Sequence, residues 1–118
     1  MAMIDNSRVL TEFEDGVVVA VIRLSKITEA DTGALEEDLV AAASPHGWKL
    51  ALDMSEVLLL ASVGISMLLA LRKNAQAAGG HVALYNVTPD VSNMLKITKL
   101  STLFKVGKDR AAAVKSLS

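Results

Sequence analysis

Few residues in this chain are of types that carry chemistry. Cysteine is absent, which removes disulfides, thiolate catalysis and Cys-based zinc sites together. The two histidines, His46 and His81, stand in separate loop or strand-start positions, and neither has a second ligand at metal spacing. Both read as solvated or core-edge side chains, and no metal site is expected. Gly107-Lys108 lacks the glycine-rich loop that would make it a phosphate-binding turn. Gly79-Gly80 follows a helical stretch instead of opening one, so it serves as a cap and not as a phosphate cradle. There is no Gly-x-Ser-x-Gly elbow, and Ser62 has no nearby histidine to act as its base. Glu36-Glu37-Asp38 reads as the wet face of a helix. No catalytic residue and no cofactor is expected.

Ser62 remains, immediately before an expected helix. An N-cap serine accepts a hydrogen bond from the N–H of the second or third helical residue. A phosphate on that hydroxyl would lie against the unpaired N–H groups and positive dipole end of the helix. It would add about −1.5 to −2 charges to a neutral, largely apolar surface. Gly64 would let another surface approach the backbone closely. The residues alone leave a plain cap and a switch both open.

The elements that position Ser62 follow from hydrophobic period. Residues 8–13 and 17–24 are two β-rich runs joined by the turn signal Glu14-Asp15-Gly16. The second run is almost wholly apolar, as in a central strand covered on both faces. From Thr28 to Ser44 the period becomes helical. Ala30, Ala34, Leu35, Leu39 and Ala42 share one face, Thr28 with Asp31 forms a loose capping box, and Pro45 and Gly47 end the helix. Residues 48–54 form a buried strand, and residues 57–60 carry the chain to a second helix from Ser62 to about Ala78, stopped by Gly79. On this helix Gly64, Leu68, Leu71, Ala75 and Ala78 form the core stripe, with Ile65 and Leu69 to one side beside Arg72 and Gln76. Ile65 and Leu69 are either the edge of a wide buried face or an apolar patch next to Ser62 that a partner covers. A strand at 81–86, a helix opening at Thr88-Pro89-Asp90 and running to Ile97, a short strand at 103–106 and a helix at 109–117 follow. Right-handed crossovers make the later strands parallel, and the opening hairpin adds an antiparallel edge. The expected fold is α/β: a mixed sheet of four or five strands with about four helices, in a single domain spanning 1–118 with its core at about 8–117.

Bulk properties narrow the partners. The 118 residues are 52% hydrophobic and 21% charged, with a net charge of −1, so the chain has no basic footprint for nucleic acid and no cationic run for an anionic membrane. The N-terminal residues show no cationic region followed by an apolar core, so no signal peptide is expected. The longest uncharged apolar run, residues 57–71, is shorter than the roughly 20 residues a spanning helix needs. A soluble cytoplasmic protein is expected.

From about residue 15 to residue 117 the chain resembles the STAS-domain family of anti-sigma factor antagonists. The resemblance rests on Leu50-Ala51-Leu52-Asp53-Met54-Ser55 followed by Ala61-Ser62-Val63-Gly64-Ile65, then Ala77-Ala78-Gly79-Gly80-His81-Val82-Ala83-Leu84. Val87-Thr88-Pro89-Asp90-Val91 and Leu95-Lys96-Ile97-Thr98-Lys99-Leu100 complete it, before Leu103-Phe104. In that family the turn before the second helix reads Asp-Ser-Ser/Thr-Gly, and its first serine is phosphorylated by a partner kinase that also sequesters a sigma factor. That serine falls on Ser62. The chain departs where Ala61 replaces the aspartate and Val63 the second hydroxyl residue. It departs again at Thr28, with Glu29 next to it, where the family often has an aspartate before the first helix.

The resemblance implies a non-enzymatic protein that binds an anti-sigma factor with serine kinase activity while Ser62 is unphosphorylated and leaves it once phosphorylated. A phosphatase completes such a circuit. The implied docking surface comprises Ser62, Val63, Gly64, Ile65, Leu69 and Arg72, with Thr28 and Glu29. ATP and Mg²⁺ belong to the kinase, and the chain itself is expected as a monomer or weak dimer. Ala61 and Val63 also fit an alternative: an accessory or scaffold STAS subunit, for example of a transport complex, that binds constitutively.

Overall fold

The computed structural model describes residues 4–118. Strands β1 (Val9–Glu14) and β2 (Val17–Ile22) form an antiparallel hairpin closing on the pair Glu14 and Val17. Asp15 and Gly16 both take positive φ, 51° and 80°, the two-residue turn whose twist matches that of its strands. A two-residue strand, β3 (Lys26–Ile27), leads into α1 (Glu29–Ala43), and β4 (Lys49–Asp53) follows. A second short strand, β5 (Leu59–Leu60), leads into α2 (Ser62–Ala77). The chain ends with β6 (His81–Tyr85), α3 (Pro89–Ile97), β7 (Lys105–Gly107) and α4 (Arg110–Leu117).

Five strands form one sheet in the order β1-β2-β4-β6-β7, antiparallel only at the β1–β2 edge. The apolar second run, expected to be a central strand, is β2 inside the sheet, and the architecture is the mixed α/β one. Because side chains alternate across a strand, β2, β4 and β6 floor two cores. Val18, Ala20, Ile22, Leu50, Leu52, Val82 and Leu84 pack with Leu35 and Leu39 of α1, Leu68 and Leu71 of α2, and Val91 and Leu95 of α3. Residues of the opposite parity, Val17, Val19, Ala51, Ala83 and Tyr85, pack under Ala113, Val114 and Leu117 of α4. Gly80 is required where β6 starts: a Cβ there would run into the carbonyl oxygens of Gly47 and Trp48.

Details of the helical faces differ from expectation. The buried row of α1 is Leu35, Leu39 and Ala43, spaced i, i+4, i+8, while Ala42 is half-buried and Ala30, in the first turn, is exposed. On α2, Met67 joins the stripe and Ala78 is exposed at the C-cap. The last strand begins at Lys105, because Leu100–Thr102 forms a turn of 3-10 helix first.

Candidate functional site

The small sheet places two helix starts together. β3 and β5 pair in parallel, Lys26 with Leu59 and Ile27 with Leu60, and each strand ends immediately before an N-cap residue, Thr28 for α1 and Ala61 for α2. The two starts therefore lie side by side but are furnished differently. At α1, the Asp31 carboxylate accepts hydrogen bonds from the Thr28 N–H (3.3 Å) and hydroxyl (2.9 Å). Glu29 and Asp31 add negative charge to its first turn, where the helix dipole favours it. At α2, no side chain caps the helix and its first turn holds no acidic residue. The first backbone bonds run from the Gly64 and Ile65 N–H groups to the Ala61 carbonyl, at 2.9 and 3.1 Å. The Ser62 and Val63 N–H groups have no side-chain acceptor among the described residues.

Ser62 is exposed and occupies the first helical position of α2. The expectation that it is the N-cap is corrected: Ala61, with extended backbone (φ −73°, ψ 168°), holds that place. A serine one residue inside the helix does not reach back over the following N–H groups as a cap does, and the Ser62 hydroxyl stays in solvent beside a pair of open donors. Gly64 is also corrected. It is buried, and a Cβ on it would strike the Leu60 side chain and come within 3.2 Å of Ile27. The glycine thus serves the chain's own close packing of α2 on β3 and β5, and does not lie on an outer docking surface.

Of the other expected residues, Val63 and Ile65 are half-buried, Ile65 resting against the core, while Leu69 is 37% exposed. Thr28 and Glu29 are exposed at the neighbouring helix start. A groove of about 460 Å³ runs between α1 and α2 from this point, lined by Thr32, Gly33, Glu36, Val63, Met67 and Ala70 among others. Arg72 is separate from it. Ten residues beyond Ser62, about 15 Å along the helix, its Nε donates to the Leu103 carbonyl at 3.0 Å.

The apolar stretch before Ser62 holds a feature that the sequence reading missed. Leu58 and Leu59 point largely into solvent, as does Ile97 of α3. An unbroken apolar run reads as buried, and nothing in it marks the side that no other element covers. On the far face of the sheet, Arg110 forms ion pairs with Glu12 (3.2 Å) and Glu14 (3.0 Å). Burial opposes its charge, but the hydrogen bond and charge of Glu12, with the charge of Glu14, outweigh this and raise its pKa. His46 lies against the Phe13 ring, centroids 4.5 Å apart, and His81 is exposed. Among the described residues no cluster of His, Asp and Glu is placed to hold a metal, and no helix is long and apolar enough to cross a membrane.

Comparison with known proteins agrees with this architecture. The chain is 24% identical over 99 residues, 84% of each chain, to BtrV of Bordetella bronchiseptica, which is described as an anti-sigma factor antagonist. The crystal structure of an anti-sigma factor antagonist from Mycobacterium paratuberculosis superposes with a TM-score of 0.79 at 24% identity, covering 92% of both chains. The phosphorylated form of the Bacillus cell fate determinant SpoIIAA superposes at 0.67 with 12% identity, covering 92% of this chain and 98% of that one. These structural likenesses are of fold. The family model for the Mlab STAS domain matches residues 13–106, most of the chain and every strand of its main sheet except the start of β1 and the end of β7, and the chain belongs to the STAS domain family.

Proposed function

We propose that the chain is an anti-sigma factor antagonist that acts by partner switching in the cytoplasm. The observation that carries the reading is the exposed, unbonded Ser62 hydroxyl at the one helix start of the pair left without a cap or an acid. Similar proteins support it: BtrV and the Mycobacterium protein are described as antagonists, and the Bacillus protein exists in a phosphorylated form. In the unmodified state, Ser62, Val63, Ile65 and Leu69, with Thr28 and Glu29 alongside, dock on an anti-sigma factor that is also a serine kinase. Docking frees the sigma factor.

The reaction is the partner's: its bound ATP and Mg²⁺ supply the phosphoryl group, and the Ser62 oxygen receives it. The new phosphate then carries about −1.5 to −2 charges next to the ADP left when it departs from ATP. Like-charge repulsion and the cost of burying an unpaired anion separate the two proteins. In the free chain the same phosphate is stabilised by the open N–H groups and dipole of α2. A phosphatase resets the surface.

Ala61 and Val63, which leave Ser62 without polar neighbours in the turn, favour a second reading as a constitutively bound accessory or scaffold subunit. One experiment separates the two. The chain is mixed with a kinase-type anti-sigma factor from the same genome and labelled ATP, phosphate is located by mass spectrometry, and the complex is followed by calorimetry. Phosphate on Ser62 with loss of the complex is expected. A lasting complex without phosphate selects the accessory reading, and phosphate confined to other residues overturns the switch.

A further inference from the structure

A net charge of −1 conceals a segregation of charge along the chain. Residues 1–56 hold 11 acidic and four basic residues, whereas residues 57–118 hold two acidic and eight basic ones. The fold gathers basic residues from both halves at one end of the sheet. β4, β6 and β7 run parallel, and each begins with a basic residue: Lys49, His81 and Lys105. Lys49 and His81 are register partners, and His81 lies two residues before Ala83, the partner of Lys105. All three side chains therefore leave the same face of the sheet.

More cations meet them there. The Lys105 ammonium donates to the Ser116 carbonyl at 3.0 Å, which brings the last turn of α4, with Lys115, to this end as well. From the other face, Arg72 is fixed on the Leu103 carbonyl, and a cleft of about 180 Å³ joins Arg72, His81, Leu103 and Lys105. Lys49, Arg72, Lys105 and Lys115 belong to no ion pair among the described residues. Two aliphatic side chains stand in water beside them. Leu103 is 41% exposed on the cleft, and Val106, next to Lys105 on the open edge strand, is 50% exposed.

We infer that this end of the molecule rests on an anionic phospholipid surface. Cations without counter-ions attract the headgroups. Lysine stems lie along the apolar boundary with their ammonium groups in water, and Leu103 and Val106 insert between them. Protein interfaces enrich arginine and deplete lysine, whereas three of these four unpaired cations are lysines. The charges are scattered in the sequence and become a patch only through strand register and the return of α2 and α4.

Ser62 lies at the opposite end of the sheet. β4 runs from Lys49 to Asp53 and leads through β5 into α2, which returns toward the basic end and places Arg72 about 15 Å from Ser62. The inference does not depend on how Ser62 is used, and a chain seated in this way keeps Ser62 turned away from the lipid.

Cosedimentation with vesicles tests the inference. At low salt the wild-type chain should bind vesicles of phosphatidylcholine with about one third phosphatidylglycerol, and be released as salt screens the charges. It should stay free of vesicles of phosphatidylcholine alone. Lys49→Gln and Lys105→Gln should each weaken binding by about fivefold, and together by roughly 30-fold. Leu103→Ser should weaken it while leaving the salt dependence unchanged. Glu37→Gln, exposed on α1 in the acidic half, should have no effect, and thermal melts check that each variant is folded. A wild type that binds neither vesicle overturns the inference, as does equal binding to both. A gain from Glu37→Gln equal to the loss from Lys49→Gln overturns it too, because net charge alone would then be at work. So does a wild type free of vesicles whose folded Lys49→Gln and Lys105→Gln variants lose affinity for an anti-sigma factor, which would assign this end to that protein.

Discussion

With Ala61 at the N-cap of α2 and Ser62 one residue inside, losing the serine hydroxyl removes no capping bond. Ser62→Ala should keep thermal stability within about 0.5 kcal/mol and leave affinity for the anti-sigma partner unchanged, while phosphate incorporation at this site disappears. Ser62→Asp places a carboxylate under the docked partner, where burial without a pairing charge costs several kcal/mol. Calorimetry should show affinity lower by at least about 100-fold, and equal binding of the two variants would remove Ser62 from the interface. A second residue-level consequence lies on the opposite face. The only tyrosine, Tyr85, has its hydroxyl buried with no hydrogen-bond partner among the described residues. Burial, followed by the negative charge of Asp53, pushes its pKa up from 10.0 to about 12. The folded chain therefore keeps this proton between about pH 10 and 12, where the unfolded chain has lost it. The stabilisation is complete below pH 10 and is lost as pH rises through 12. Tyr85→Phe should flatten the alkaline limb of stability, compared with wild type in urea titrations at each pH, and parallel limbs would rule the effect out.

Among the elements, the two-residue strands β3 and β5 matter most for the site and were the least legible in the sequence. A period of two needs more than two residues to show, so Lys26–Ile27 and Leu59–Leu60 carry no signal of their own, and their pairing is a long-range event. The longer elements were legible because alternation or helical spacing repeats within each: the all-apolar run at 17–22, the stripe Leu68–Leu71–Ala75, the Asp15-Gly16 turn, and Pro89 at the first position of α3. Ser62 is exposed at the start of α2, but serine's preference for N-caps placed it one residue out. The packing of Gly64 against Ile27 and Leu60, which the sequence does not reveal, explains why a glycine sits there. Gly64→Val should test that packing. Its methyl groups have no room between α2 and the small sheet, and overfilling costs about 1–3 kcal/mol, read as a lower urea midpoint. A midpoint equal to wild type would mean that α2 can ride outward at little cost, and that the junction of the two helix starts is loose.

For the molecule as a whole, α4 is, among the described residues, the only α-helix over its face of the sheet, although it is the shortest of the four described there. Its sequence, with Ala111, Ala112 and Ala113 in a row, gave little hint of that duty, because small residues show weak periodicity. A chain ending at Asp109 should leave Val17, Val19, Ala51, Ala83 and Tyr85 uncovered, bind a hydrophobic dye and lose its sharp thermal transition. A sharp transition near the wild-type temperature would show that the other layer suffices. The two layers also have no strands of their own. Each central strand gives alternate residues to each side, so melting either layer strips one face of the strands that floor the other. The single tryptophan, Trp48, is buried with the three-helix layer, and the single tyrosine, Tyr85, with the one-helix layer. Nature has thus put one optical reporter in each compartment: Trp fluorescence and Tyr absorbance follow the two sides separately during unfolding, and coincident curves are what shared strands require.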